Sequence, residues 1–271
     1  MQSDDVAALN TAALRGLNTT QLAALNSDQI AALSTAQVTS LTTAQINGLN
    51  SDDLNALTTA QVRALTSAQV GAIGTTQLAK MTTDDVEALS TAAVRALSSD
   101  QVKALTTDQV VALSTDQARA LTTTQVAGLP TTQIANMQSD DLAALNTAAL
   151  RGLNTTQLAA LNSDQIAALT TAQVASLSTT QINGLNSDDL NALTTDQFKA
   201  LSSTQVAAIG TTQLAKVTTD DIAALSTSAV RALTTDQTKA MTSDQIGALQ
   251  TNQVAALTTA QINGLNSDSL N

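Results

Sequence analysis

Cut from its first residue in blocks of eight, the chain gives 33 complete octads and a seven-residue remainder, with no insertion or deletion. So strict a period makes the octad the structural unit, and the fold is whatever eight residues build when stacked on copies of themselves. Position 1 is always aliphatic: Leu in 27 of 34 cases, otherwise Met, Ile or Val, as at Met81, Ile73 and Val217. Position 6 is Val, Ile or Leu except at Ala118, Phe198 and Thr238. These two positions face inward.

The other positions supply the local grammar. Position 2 is mostly Thr, Ser or Asn, position 3 is always Ser or Thr, position 5 is usually Gln and position 8 is usually Ala or Gly. A position 2 side chain can accept from the orphan backbone N–H three residues on while Gln at position 5 reaches back, a reciprocal capping box, as in Thr106 with Gln109. Charges agree with a helix in that direction, since a helix is positive at its start and negative at its end. All 21 Asp residues occupy positions 4 or 5 and all 11 basic residues positions 7 or 8, as in Asp100 with Lys103 and Asp196 with Lys199. Glu87, at position 7, alone has the wrong sign. Pro130 sits at position 2, where a helix start tolerates a missing N–H.

A single unbroken helix fails on geometry, because eight residues at about 100° each leave a drift of about 80° per octad and the apolar stripe would spiral round the rod. A β-solenoid fits poorly, since the Ala-rich octad ends are weak strand material. The pattern therefore predicts an all-α solenoid or superhelix of short capped helices, one per octad, each of about six residues followed by a bend through positions 1 and 2. Ala or Gly at position 8 lets successive helices approach closely. One octad cannot bury enough apolar surface to fix its own backbone, so stability should grow with octad number.

A longer period lies above the first. Residues 137–271 match residues 1–135 at 100 of 135 positions, and residues 9–32 are identical to 145–168. The chain thus reads as one repeat array, 1–271, grown by block duplication of 1–136 and 137–271, without a linker. The match fails at the end, where "LTTAQINGLNSD" at 257–268 instead repeats 41–52. Met1 fills a position normally held by Leu, and "MQSDD" recurs at 137–141, which marks an internal fragment.

Composition limits function. There is one aromatic residue, Phe198, and no Cys, His, Trp or Tyr, so no disulfide, thiolate metal site or convergent acid–base set exists. A net charge of −11 argues against capture of nucleic acid or an anionic membrane. No apolar run is long enough to insert in a membrane, and Met1-Gln2-Ser3-Asp4-Asp5 lacks the basic start of a signal peptide. The expectation is no enzyme, no catalytic, cofactor-binding or metal-binding residues and no cofactor.

Several features invite sharper readings. The pairs Asp4-Asp5, Asp52-Asp53, Asp84-Asp85, Asp140-Asp141, Asp188-Asp189 and Asp220-Asp221 suggest calcium, but lack the glycine-punctuated loop of known calcium repeats and read as helix-start charges. Thr-Thr dipeptides suit an ice- or glycan-binding ladder, although capping accounts for them. Position 5 Gln can form an amide ladder between turns besides its capping role. Phe198 replaces Val in the core. Arg15, Arg63, Arg95, Arg119, Arg151 and Arg231 are too dispersed for a phosphate site and read as helix-end charges.

The stretch "LTTDQVVAL" resembles the opening helix of the repeat in TAL effectors, "LTPEQVVAI", but the octads lack the rest of that repeat, including its base-reading loop, so DNA reading is not implied. The whole chain resembles the Thr/Ala/Gln-rich octapeptide-repeat arrays of very large bacterial secreted or surface proteins. That resemblance implies a structural stalk, spacer or filament body, extracellular or on the cell surface, with copies of itself as partners in a filament. The alternative is a repetitive binding surface for ice, glycan or calcium.

Overall fold

The computed structural model describes residues 2–265. Met1 and most of the last, partial octad, 266–271, lie outside the described residues. Thirty-three helices, α1 (Ser3–Ala7) to α33 (Thr259–Gly264), follow one another, one per octad, and no strand occurs among the described residues. The chain divides into two compact units, Met1–Ala149 and Leu150–Asn271, and each is an all-α solenoid of the kind the octad predicts.

The octad folds as its residue types dictate. In the octad at 105–112, Leu105 at position 1 is extended at φ −56°, ψ 143°, and Thr106 at position 2 likewise at φ −72°, ψ 162°. The helix Thr107–Val111 then runs until the next position 1, whose N–H closes it on a carbonyl three residues back, Leu113 N to Val110 O at 3.3 Å. Two extended residues thus end one short helix and lead into the next. No described residue has positive φ, so the glycines are not the left-handed helix stops common elsewhere.

What packs on an octad is not the next octad in sequence but the third along. Within each unit the closest helix pairs are three apart, such as α9 (Ser67–Gly71) with α12 (Thr91–Ala96) and α26 (Ser203–Ala207) with α29 (Thr227–Ala232). Position 8 of one helix meets position 3 of the helix three earlier. A Cβ placed on Gly184 would lie 2.8 Å from Thr155 Cγ2, and on Gly48 3.0 Å from Thr19 Cγ2, so glycine there lets the threonine of the earlier turn come closer than a larger residue would without the threonine shifting. The small residue does permit close approach, but between turns of the solenoid rather than between successive helices.

Within each unit positions 1 and 6 form a narrow core. Val38, Ile46, Leu54 and Val62 are fully buried, and position 1 residues such as Leu49 and Leu65 nearly so. The three unusual position 6 residues fit the same slot: Phe198 and Ala118 are fully buried, and Thr238 is buried with its hydroxyl donating to Thr235 O at 2.9 Å. Val254 and Ile262, at the same position, are about half exposed because no described turn follows them.

Candidate functional site

The most elaborate polar geometry lies between turns, at position 5. Gln117 shows it complete. Its Oε1 accepts from the backbone N–H of Ser114 at 2.9 Å while Ser114 Oγ accepts from Gln117 N at 3.3 Å, the expected capping box. Its Nε2 donates away from its own helix, to Val86 O, Glu87 O and Leu89 O at 2.8, 3.0 and 2.8 Å. Those carbonyls end the helix four octads earlier, where Val86 O otherwise takes the Leu89 N–H at 3.2 Å and the last carbonyls lie beyond the helix's own N–H groups. One side-chain amide therefore caps the start of one helix and the end of another.

This staple recurs at fixed sequence separations of 28, 30 and 31 residues, as in Gln37 to Leu9 O, Ala7 O and Val6 O, and Gln253 to Leu225 O, Ala223 O and Ile222 O. Gln45, Gln69, Gln101, Gln125, Gln205, Gln237 and Gln261 repeat it. Helix packing three octads away and staples four octads away set a turn between three and four octads. The capping reading of Gln holds through Oε1, and Nε2 links turns in a form other than the expected amide ladder. The amides reach carbonyls, however, and do not stack on one another.

Shorter links run outside the core at a separation of 25 residues. Asn47 and Asn183 donate to Ala72 O and Ala208 O at 2.7 and 3.0 Å, and Thr123 Oγ1 donates to Ala148 O at 3.0 Å. Where a Thr-Thr pair fills positions 2 and 3 its first Thr caps the helix, as Thr122 Oγ1 does for Gln125 N at 3.3 Å, whereas pairs at positions 3 and 4, such as Thr19-Thr20, follow the capping residue, there Asn18. Most position 3 hydroxyls face solvent.

The Asp pairs split into unlike members. Asp52, Asp84, Asp140, Asp188 and Asp220, at position 4, are exposed or half-exposed helix-start charges, but Asp53, Asp85, Asp141, Asp189 and Asp221 occupy the buried position 5 in place of Gln. Burial raises the pKa of all five, opposed at four of them by hydrogen bonds from their capping residues. Asp141, with no such bond, is pushed up to about 6, its neighbour Asp140 adding to the effect. From the sequence both members of each pair read alike as helix-start charges; the signal that separates them is that position 5 is otherwise the Gln position. Among the described residues no group of three or more Asp or Glu is gathered to hold a metal ion.

Arg15, Arg63, Arg95, Arg119 and Arg231 lie in the last turns of their helices, as the dipole argument places them. Arg119 pairs with Asp116 at 2.7 Å, the one ion pair among the described residues. The surface carries shallow open notches rather than an enclosed site. One is lined by Thr155, Thr156, Thr179, Thr180, Asn183 and Gly184, and its duplicate, 136 residues earlier, by Thr19, Thr20 and Gly48. Both follow from the missing side chain at position 8, and neither contains a charged group.

Pro130 departs from its sequence reading. The helix Thr131–Asn136 forms behind it, but the position 2 N–H is the donor that Gln Oε1 needs, and proline has none. Gln133 Oε1 is accordingly the one buried side-chain polar atom without a partner among the described residues, although Gln133 Nε2 still donates to Leu105 O. Pro130→Thr is expected to restore the box and raise stability by about 1 kcal/mol, read as a higher melting temperature and slower hydrogen exchange in residues 131–136. An unchanged or lower melting temperature would mean that the orphaned oxygen is harmless.

Short capped helices held turn to turn by a position 5 amide in most octads define a helical repeat solenoid. The chain belongs to the ALTTAQ repeat family, whose description matches residues 1–35, 48–83, 78–115, 134–171, 166–195, 182–219 and 214–251. The six letters are positions 8, 1, 2, 3, 4 and 5 of the octad, present unaltered at 56–61, 168–173 and 256–261. No curated protein matches the chain.

Proposed function

We propose that this repeat protein is a non-enzymatic structural element, a stalk, spacer or filament body working on or outside a bacterial cell. The observation that carries this reading is the staple. Among the described residues each buried position 5 Gln caps its own helix, binds an adjacent turn or does both, which leaves few buried polar groups to converge on a substrate. Growth by a block of 17 octads changes the amount of such material without changing its kind, which suits an element whose useful property is extent.

The test is deletion of residues 1–136. The remaining chain, residues 137–271, is expected to keep the same circular dichroism per residue and to melt lower, because fewer turn-to-turn interfaces remain. Electron microscopy of the two chains should give particles of equal width and unequal length. A half-length chain that is unfolded, or wider and globular, would overturn the reading.

A further inference from the structure

The staples are interrupted, and the interruptions are not equivalent. Among the described residues, position 5 lacks Gln in two successive octads at Asp5 and Ala13, Asp85 and Ala93, Asp141 and Ala149, and Asp221 and Ala229. The first pair lies in the opening turn. At Asp141 and Ala149 the capping residues stand in: Gln138 Nε2 donates to Val111 O at 2.8 Å and Asn146 Nδ2 to Leu121 O at 3.1 Å. At the other two pairs the capping residues are Thr82, Ser90, Thr218 and Ser226, too short to reach another turn. Thr82 and Thr218 hydroxyls instead donate to their own Asp85 and Asp221 at 2.6 Å, while Ser90 and Ser226 accept from Ala93 N and Ala229 N.

The staple register places Leu57 O and Leu65 O opposite Asp85 and Ala93, and Leu193 O and Leu201 O opposite Asp221 and Ala229. None of the four takes a side-chain hydrogen bond among the described residues, whereas Leu89 O and Leu97 O, farther along, are bonded by Gln117 and Gln125 at 2.8 Å. What still joins these turns is apolar packing of the fully buried Ala93 and Ala229, with Ser67 Oγ donating to Ala92 O at 3.1 Å and the Thr195 hydroxyl bonding Asp221.

We infer that each unit contains one yield point, a seam of two successive unstapled octads at 81–96 in the first unit and 217–232 in the second, at which turns part first under axial load. The inference rests on the spacer reading and gives it a mechanical property. Under tension a stapled turn separates only by breaking two or three hydrogen bonds to one amide at once. At the seam two of the three to four octads of a turn lack the staple, so separation there breaks fewer directional bonds and is resisted chiefly by apolar contact. The seams lie 136 residues apart, so block duplication copied the yield point along with the rest, and the protein lengthens in two steps while its stapled turns stay closed.

Optical-tweezers extension of the full chain, held at its ends, is the test. Two low-force openings are expected before the main unfolding. Asp85→Gln with Ala93→Gln should remove one and leave the other, the second unit serving as internal control. Because Ala93 is tightly packed, that variant also needs circular dichroism to establish folding. Gln101→Ala with Gln109→Ala works the other way, widening the seam beyond residue 96, and should lower the force and lengthen the step of the first-unit opening. No low-force openings in the wild type, or openings indifferent to the folded variants, would overturn the yield points. The spacer reading would survive that result, since it is judged by the length comparison after deletion.

Discussion

Gln117→Glu is expected to lower the stability of its turn by about 3 kcal/mol at neutral pH, although it changes one atom and keeps the capping box. Glutamate Oε1 still accepts from Ser114 N. The atom replacing Nε2 becomes a charged oxygen facing three carbonyl oxygens, at the negative end of the helix Thr83–Ala88, in a residue only 1% exposed. Gln117→Ala, which removes the donor without adding charge, should cost about 2 kcal/mol, and Thr115→Ala, on the exposed face, less than about 0.5 kcal/mol. Because neighbour interactions dominate a solenoid, the loss should be local: hydrogen exchange accelerates around residues 83–90 and 113–120 before distant octads respond. Below the raised pKa of the new carboxyl its O–H can donate to a carbonyl, and the defect should largely disappear. If the Glu variant melts with the wild type at neutral pH, Nε2 is not what holds the turns.

The same amide explains why the fold was more legible in the sequence than the link between turns. Capping is local, so Thr106 and Gln109 declare it by spacing and side-chain type alone, and the Asp and Lys positions report the helix direction independently. Which carbonyl the other end of Gln reaches depends on how far the chain turns per octad. That angle is set by the extended backbone at positions 1 and 2 and by contacts such as Gly184 on Thr155, none of which an eight-residue period encodes. Pro130 shows the same limit. A missing N–H at a helix start is ordinarily harmless, and it matters here only because a buried amide oxygen depends on that N–H. The Asp pairs were half legible: position 4 behaves as a dipole charge, but the burial of position 5 appears only once the preceding turn is seen to cover it.

Those buried carboxyls lead to an acid response opposite to the usual one. Moving from about pH 7.5 to about pH 5 is expected to raise the melting temperature, whereas proteins held by paired carboxylates lose stability over such a range. Asp53, Asp85, Asp141, Asp189 and Asp221 all have pKa values raised above the ordinary carboxyl value of 3.8, chiefly by burial. The folded chain then holds these protons more tightly than the unfolded one. The resulting stabilisation is complete below the ordinary value and fades as pH climbs through the raised one. For Asp141 the window runs from about 6 down to 3.8, and it contributes about 1 kcal/mol once solvent screening is allowed for. Asp141→Asn should raise the melting temperature at neutral pH, leave it nearly unchanged at about pH 4 and flatten the slope between. A melting temperature that falls steadily from about pH 7.5 to about pH 5, in the wild type and this variant alike, would show that the position 5 carboxyls are ionised in the folded chain without penalty.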